Sequence, residues 1–135
     1  MAITINSYFA DSANGSDRRV KYASDYTSDI LLNATHLLQA VNALLADLGI
    51  ISIVVTSGWR PPSVNVAIGG AKSSAHCTGE ACDLADSTGK LKQQLVDKPE
   101  LLVKHDLYME SPAATKTWAH LQTRPTKSGK RIFLP

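Results

Sequence analysis

From residue 28 to residue 48 the apolar positions Ile30, Leu31, Leu37, Leu38, Val41, Leu44, Leu45 and Leu48 recur mostly three and four apart, and Gly49 follows them. That spacing is the helical period, so the segment predicts one long amphipathic helix with its apolar stripe on a core and a glycine stop. His36 falls inside it with no second ligand-type residue at helical spacing and reads as an ordinary helical residue. Residues 50–56 change pattern to a short run dominated by β-branched side chains, which predicts a buried strand ended by Ser57-Gly58. Pro61-Pro62 opens a short helical turn, which Gly69-Gly70 breaks. Residues 81–84 predict a second strand, 88–96 and 99–104 two short helices, and 107–110 and 117–121 two further strands joined by a loop containing Ser111-Pro112-Ala113. Upstream, residues 11–28 are rich in Ser, Asp, Asn and Tyr without either period, so 1–28 reads as an irregular lead-in segment lying over the domain.

Helices and short strands in this order predict an α+β chain, and 135 residues with 44% hydrophobic content suffice for one core, hence a single domain over 1–135. The formal charge of +2 argues against a dedicated nucleic-acid binder. The sign is uneven, however: Lys116, Arg124, Lys127, Lys130 and Arg131 follow Glu110 with no acidic residue among them. Such a tail is either a solvated surface or an attraction to an anionic one such as a bacterial wall. The first residues lack a basic, then apolar, secretory leader, and no apolar run reaches the ~18 residues of a membrane span. The expectation is a soluble protein made in the cytoplasm. Cys77 and Cys82 are the only cysteines and lack the spacing of a paired-cysteine metal or redox motif. They read as small filling residues beside the site, with a local disulfide as the alternative.

Candidate chemistry concentrates in Ser74-Ala75-His76-Cys77-Thr78-Gly79-Glu80-Ala81-Cys82-Asp83 and in Thr117-Trp118-Ala119-His120. Two imidazoles and a carboxylate are enough protein ligands for a catalytic zinc, which takes three and keeps a position open for water. Gly79 between His76 and Asp83 permits backbone angles that let both side chains converge. In an extended segment alternate side chains share a face, so Ala81 and Asp83 point one way, and Trp118 and His120 share a face of the last strand, the indole walling the third ligand.

These residues resemble a known family. Ser74-x-His76-x-x-Gly79-x-Ala81-x-Asp83 followed by Trp118-x-His120 is similar to the zinc D-alanyl-D-alanine peptidases, which include carboxypeptidases, dipeptidases and phage peptidoglycan endopeptidases and share a fold with the hedgehog signalling domain. Thr56-Ser57-Gly58-Trp59-Arg60-Pro61-Pro62-Ser63-Val64-Asn65 and Ile68-Gly69-Gly70-Ala71-Lys72 resemble the compact carboxypeptidase branch. The resemblance covers about residues 37–121. It implies a small antiparallel sheet carrying a zinc site, packed by the long helix and shorter ones, with His76, Asp83 and His120 as zinc ligands.

The dipeptidase branch carries its catalytic glutamate three residues before the last histidine, where this chain has Thr117. Glu110 is the nearest preceding acid, and Tyr108-Met109-Glu110-Ser111 resembles the corresponding hedgehog segment. If 107–110 and 117–121 pair as neighbouring strands, Glu110 reaches the metal as general base; otherwise it is a surface carboxylate at a strand end. Arg60 resembles the family arginine that contacts substrate, which suits bidentate binding of a carboxylate; the alternative is a local ion pair. Ser74 hydrogen-bonds either the substrate or the motif turn. Asp106 is a candidate to orient a zinc-bound histidine, whereas His105 reads as a surface residue.

The function implied is hydrolysis of an amide bond in bacterial peptidoglycan stem peptides by a monomeric zinc enzyme, as a phage-type lytic endopeptidase or a D-Ala-D-Ala carboxypeptidase, encoded by a phage or carried on its particle. The alternative is a non-catalytic zinc-containing binding domain, or a phage structural domain, of the same fold.

Overall fold

The long helix forms as its pattern predicts. Thr27 caps it, with its side-chain oxygen accepting the N–H of Ile30, and the helix runs Ser28–Asp47 before Gly49 turns the chain at φ +71°. The computed structural model describes residues 1–135 in the order α1 (Ile5–Phe9), α2 (Arg18–Lys21), α3 (Ser28–Asp47), β1 (Val55–Ser57), α4 (Pro62–Ala67), a 3-10 turn (Ala75–Thr78), β2 (Ala81–Ala85), α5 (Lys90–Asp97), α6 (Glu100–Lys104), β3 (Tyr108–Glu110), β4 (Trp118–Gln122) and β5 (Ile132–Phe133). The fold is α+β, with five strands in the order β1-β2-β4-β3-β5. Every pairing is antiparallel except β3 with β5, which is parallel.

Alternation along the strands divides the sheet into two faces of different character. Cys82, Leu84, Met109, Ala119 and Leu121 turn into the core with Leu37, Val41, Leu44 and Leu45 of α3. The opposite face carries Asp83, Glu110, Trp118, His120 and Gln122. Because β2 and β3 flank β4, the register sets Asp83 directly across from His120 on one side and Tyr108 across from Gln122 on the other.

Three expectations need correction. Residues 1–28 are not an irregular cover. Thr4 and Ser7 form a reciprocal cap on α1, α2 follows, and Ile3, Tyr8 and Phe9 are fully buried. Phe9 meets Tyr8, Tyr26 and Trp59 edge-on at centroid distances of 5.1, 5.4 and 6.0 Å. Second, the strand expected over 50–56 is confined to Val55–Ser57. β1 is an edge strand whose register shifts between Val55 and Ser57; just before it the Val54 carbonyl still accepts the Ala85 N–H of β2, but Ile51 and Val54 face solvent. Third, β5 lies inside the basic tail, where the N–H of Met109 donates to the Arg131 carbonyl and that of Ser111 to the Phe133 carbonyl. Both cysteines are free thiols, Cys82 in the core and Cys77 on the 3-10 turn. His36 is an exposed residue of α3, and His105 bonds Asp47 at 2.7 Å.

The buried lead-in gives a direct expectation. Phe9→Ala should destabilise the fold by about 3–5 kcal/mol in urea denaturation, the cost of emptying a fully buried aromatic site. A lead-in merely draped over the surface would change the midpoint by less than about 0.5 kcal/mol.

Candidate metal centre

The first histidine is positioned by its own turn. Ser74 caps it, with its hydroxyl oxygen accepting the N–H of His76, so this serine serves the motif turn, and it also lines the cleft. Gly79 ends the turn at φ +79°, and a Cβ there would stand 2.7 Å from the Ile30 carbonyl of α3. Only glycine fits both the angle and the approach. Asn33 of α3 donates to the Thr78 carbonyl at 3.0 Å, tying the turn to the long helix.

β2 then delivers Asp83 and β4 delivers His120. One ligand-type atom each from His76, Asp83 and His120 lies within 4.8 Å of the others. His120 Nδ1 is 2.9 Å and His76 Nε2 is 3.3 Å from the same carboxylate oxygen of Asp83. The other ring nitrogens are engaged elsewhere: His76 Nδ1 lies 2.9 Å from the Gly58 carbonyl, and His120 Nε2 lies 2.8 Å from Gln122 Oε1.

The Gly58 bond is decisive for His76. A carbonyl only accepts, so Nδ1 carries the proton and Nε2 is a bare lone pair. That Nε2 is fully buried and makes no hydrogen bond. A buried lone pair facing a carboxylate oxygen is an arrangement that a cation between them satisfies. The donor set of two imidazoles and a carboxylate suits zinc. Gly58 must itself be glycine, because a Cβ there would sit 1.8 Å from the Tyr8 carbonyl of α1.

Electrostatics agree with that donor role. Burial pushes the His76 pKa down, which keeps its lone pair free near neutrality. Burial acts to raise the Asp83 pKa, but the hydrogen bond from His120 outweighs it and holds the carboxyl well below the usual range. For His120 burial acts downward, and the Asp83 bond and charge, helped by Gln122 and Glu110, win and raise it.

The site opens into a cleft of about 1070 Å³ whose lining includes Arg60, Glu110, Trp118 and Phe133. β3 pairs with β4 as the sequence required for Glu110, and continuing the Tyr108–Gln122 and Met109–Leu121 register brings Glu110 opposite His120. The Glu110 carboxylate enters none of the salt bridges of the chain. Arg60 also has no carboxylate partner, so the local ion pair is not its role, and its Nε is buried without a hydrogen bond. Burial lowers the Arg60 pKa and the Asp83 charge opposes that.

Asp106 does not orient a histidine. It lies at φ +52°, faces solvent and pairs with Arg131 at 2.9 Å. The groups that face the outer histidine nitrogens are the Gly58 carbonyl and the Gln122 amide. Gln122 was detectable in principle, because it stands two residues beyond His120 on the same strand face. The tail also contributes more than charge. Phe133 places its ring edge-on to His120 at 6.2 Å, and Arg124 binds Glu80, Thr78 and the Ser73 carbonyl around the motif turn.

A zinc-type donor set lies on one face of a small sheet, at the base of an open cleft. The peptidase M15 family profile matches residues 8–121, so the chain belongs to the peptidase M15 family. M15 peptidases are zinc-dependent. No curated protein matches the chain closely enough to count as a relative. No helix of the chain is long and apolar enough to cross a membrane.

Proposed function

We propose that this chain is a zinc peptidase that hydrolyses an amide bond in bacterial peptidoglycan stem peptides, with His76, Asp83 and His120 holding the metal and Glu110 as general base. The observation that carries the reading is the convergence of three ligand atoms within 4.8 Å beside two unpaired charged groups, Glu110 and Arg60, in one cleft. Bound zinc supplies Lewis acidity toward water and the scissile carbonyl. Glu110 accepts the proton of the attacking water and delivers it to the leaving amine, so no covalent enzyme intermediate is needed. Arg60, partly desolvated and in no salt bridge, offers a fork for a substrate carboxylate, which stem peptides carry. Trp118 and Phe133 flank His120 and wall the scissile region against water. A phage-type lytic endopeptidase and a D-Ala-D-Ala carboxypeptidase are both consistent with an open cleft of this size.

The test is mass spectrometry of purified peptidoglycan after incubation with zinc-loaded protein, beside a chelated control. New peptide fragments in the first sample alone are expected, and their masses name the bond cut. Intact peptides at full zinc occupancy would instead favour a binding domain of the same fold.

A further inference from the structure

We infer that Gln122 is a positioning residue of the metal centre: its side-chain oxygen fixes the tautomer of His120, so that Nδ1 is the nitrogen presented to the metal. A backbone carbonyl sets the direction. The Arg124 carbonyl can only accept, and Gln122 Nε2 donates to it at 2.8 Å. The other end of the same amide, Oε1, is therefore the atom 2.8 Å from His120 Nε2, and it accepts that nitrogen's proton. A neutral imidazole carries one N–H. With the proton on Nε2, the lone pair sits on Nδ1, which is the nitrogen 2.9 Å from Asp83 Oδ1 and on the side of His76 Nε2.

Several features hold this relay in place. Gln122 is 8% exposed, so water competes poorly for either end of its amide. Its backbone pairs with Ala81 on one side and Tyr108 on the other, in the middle of the sheet. Arg124, whose carbonyl sets the amide's orientation, is held by Glu80, Thr78 and Ser73. The two histidines are thereby fixed in opposite tautomers: the Gly58 carbonyl takes the Nδ1 proton of His76 and frees Nε2, and Gln122 takes the Nε2 proton of His120 and frees Nδ1. A neutral amide achieves this without adding charge to a site that already contains Asp83, with Glu110 close to His120.

The inference rests on the zinc-binding part of the proposed function and not on hydrolysis. Long-range proton–nitrogen NMR of the zinc-loaded, nitrogen-labelled protein is expected to show His120 protonated on Nε2 and metal-shifted on Nδ1, with His76 the reverse. Zinc competition against a chromophoric chelator is expected to show affinity about 10–100-fold weaker in Gln122→Leu, the usual cost of losing such an outer partner. Gln122→Glu, which keeps an acceptor, should recover most of it. Melting of the metal-free proteins separates this from a general loss of fold, because a purely structural role would lower the melting temperature without changing the tautomer. His120 bound through Nε2, or wild-type zinc affinity in Gln122→Leu, overturns the inference. If the leucine variant does not fold, the wild-type spectrum decides alone. Zinc bound with the expected tautomers and no hydrolysis would leave this inference standing and remove the peptidase reading, whereas no zinc uptake by the wild type would remove both.

Discussion

Glu110→Gln is expected to lower turnover about 10²–10⁴-fold while zinc content stays at wild type, the usual contribution of a positioned general base. In barrier terms that is about 3–5 kcal/mol. The substitution keeps shape and removes the proton acceptor, and Glu110 is bound into no salt bridge whose loss would confuse the outcome. Its neighbour across the strand pair is His120, so measured zinc affinity must accompany the rate. Both are read from one preparation: metal by atomic absorption, rate by release of peptide from purified peptidoglycan. A variant that turns over at wild-type speed would place the base elsewhere, and Thr117, where the dipeptidase branch carries glutamate, offers no acid to replace it.

The second large effect is on the metal itself. His120→Ala should weaken zinc binding by about 10²–10³-fold, because four-ligand zinc sites are worth about 10–16 kcal/mol and an even share per ligand is about 3–4 kcal/mol. The metal-free variant should also lose stability, since Asp83 then keeps a largely buried negative charge with one imidazole partner fewer. Chelator competition gives the affinity, and urea denaturation of the metal-free protein gives the stability. Stoichiometric, wild-type-strength zinc in His120→Ala would remove this residue from the ligand set.

Long-period structure was the most legible part of the sequence. The twenty residues of α3 repeat the helical spacing often enough to be unmistakable, and the stop at Gly49 is glycine chemistry. β2 and β4 were legible because alternation puts Ala119 and Leu121 inside and the site residues outside. α1 and α2, at five and four residues, are too short to show any period, and α1 owes its stability to Tyr8 and Phe9 meeting an aromatic core assembled from distant residues. β5 has two residues and exists only because β3 offers an edge. The β-branched run at 50–56 misled because β propensity reports fit to a half-buried surface, and Ile51 and Val54 face solvent instead.

Within the site, the grouping of His76, Asp83 and His120 was legible because the motif that carries them resembles that of a known family. The Gly58 carbonyl was not, since a backbone acceptor leaves no trace in residue identity. Asp106 misled for a related reason: closeness in sequence to Glu110 says nothing of direction, and its left-handed backbone turns it outward to Arg131.

The most direct single measurement is anomalous diffraction at the zinc edge from crystals grown with zinc. One strong peak is expected on the cleft face of the sheet, about 2.0–2.2 Å from His76 Nε2, an Asp83 oxygen and His120 Nδ1. No peak there, or zinc held by other side chains, would contradict a zinc centre built from these three residues.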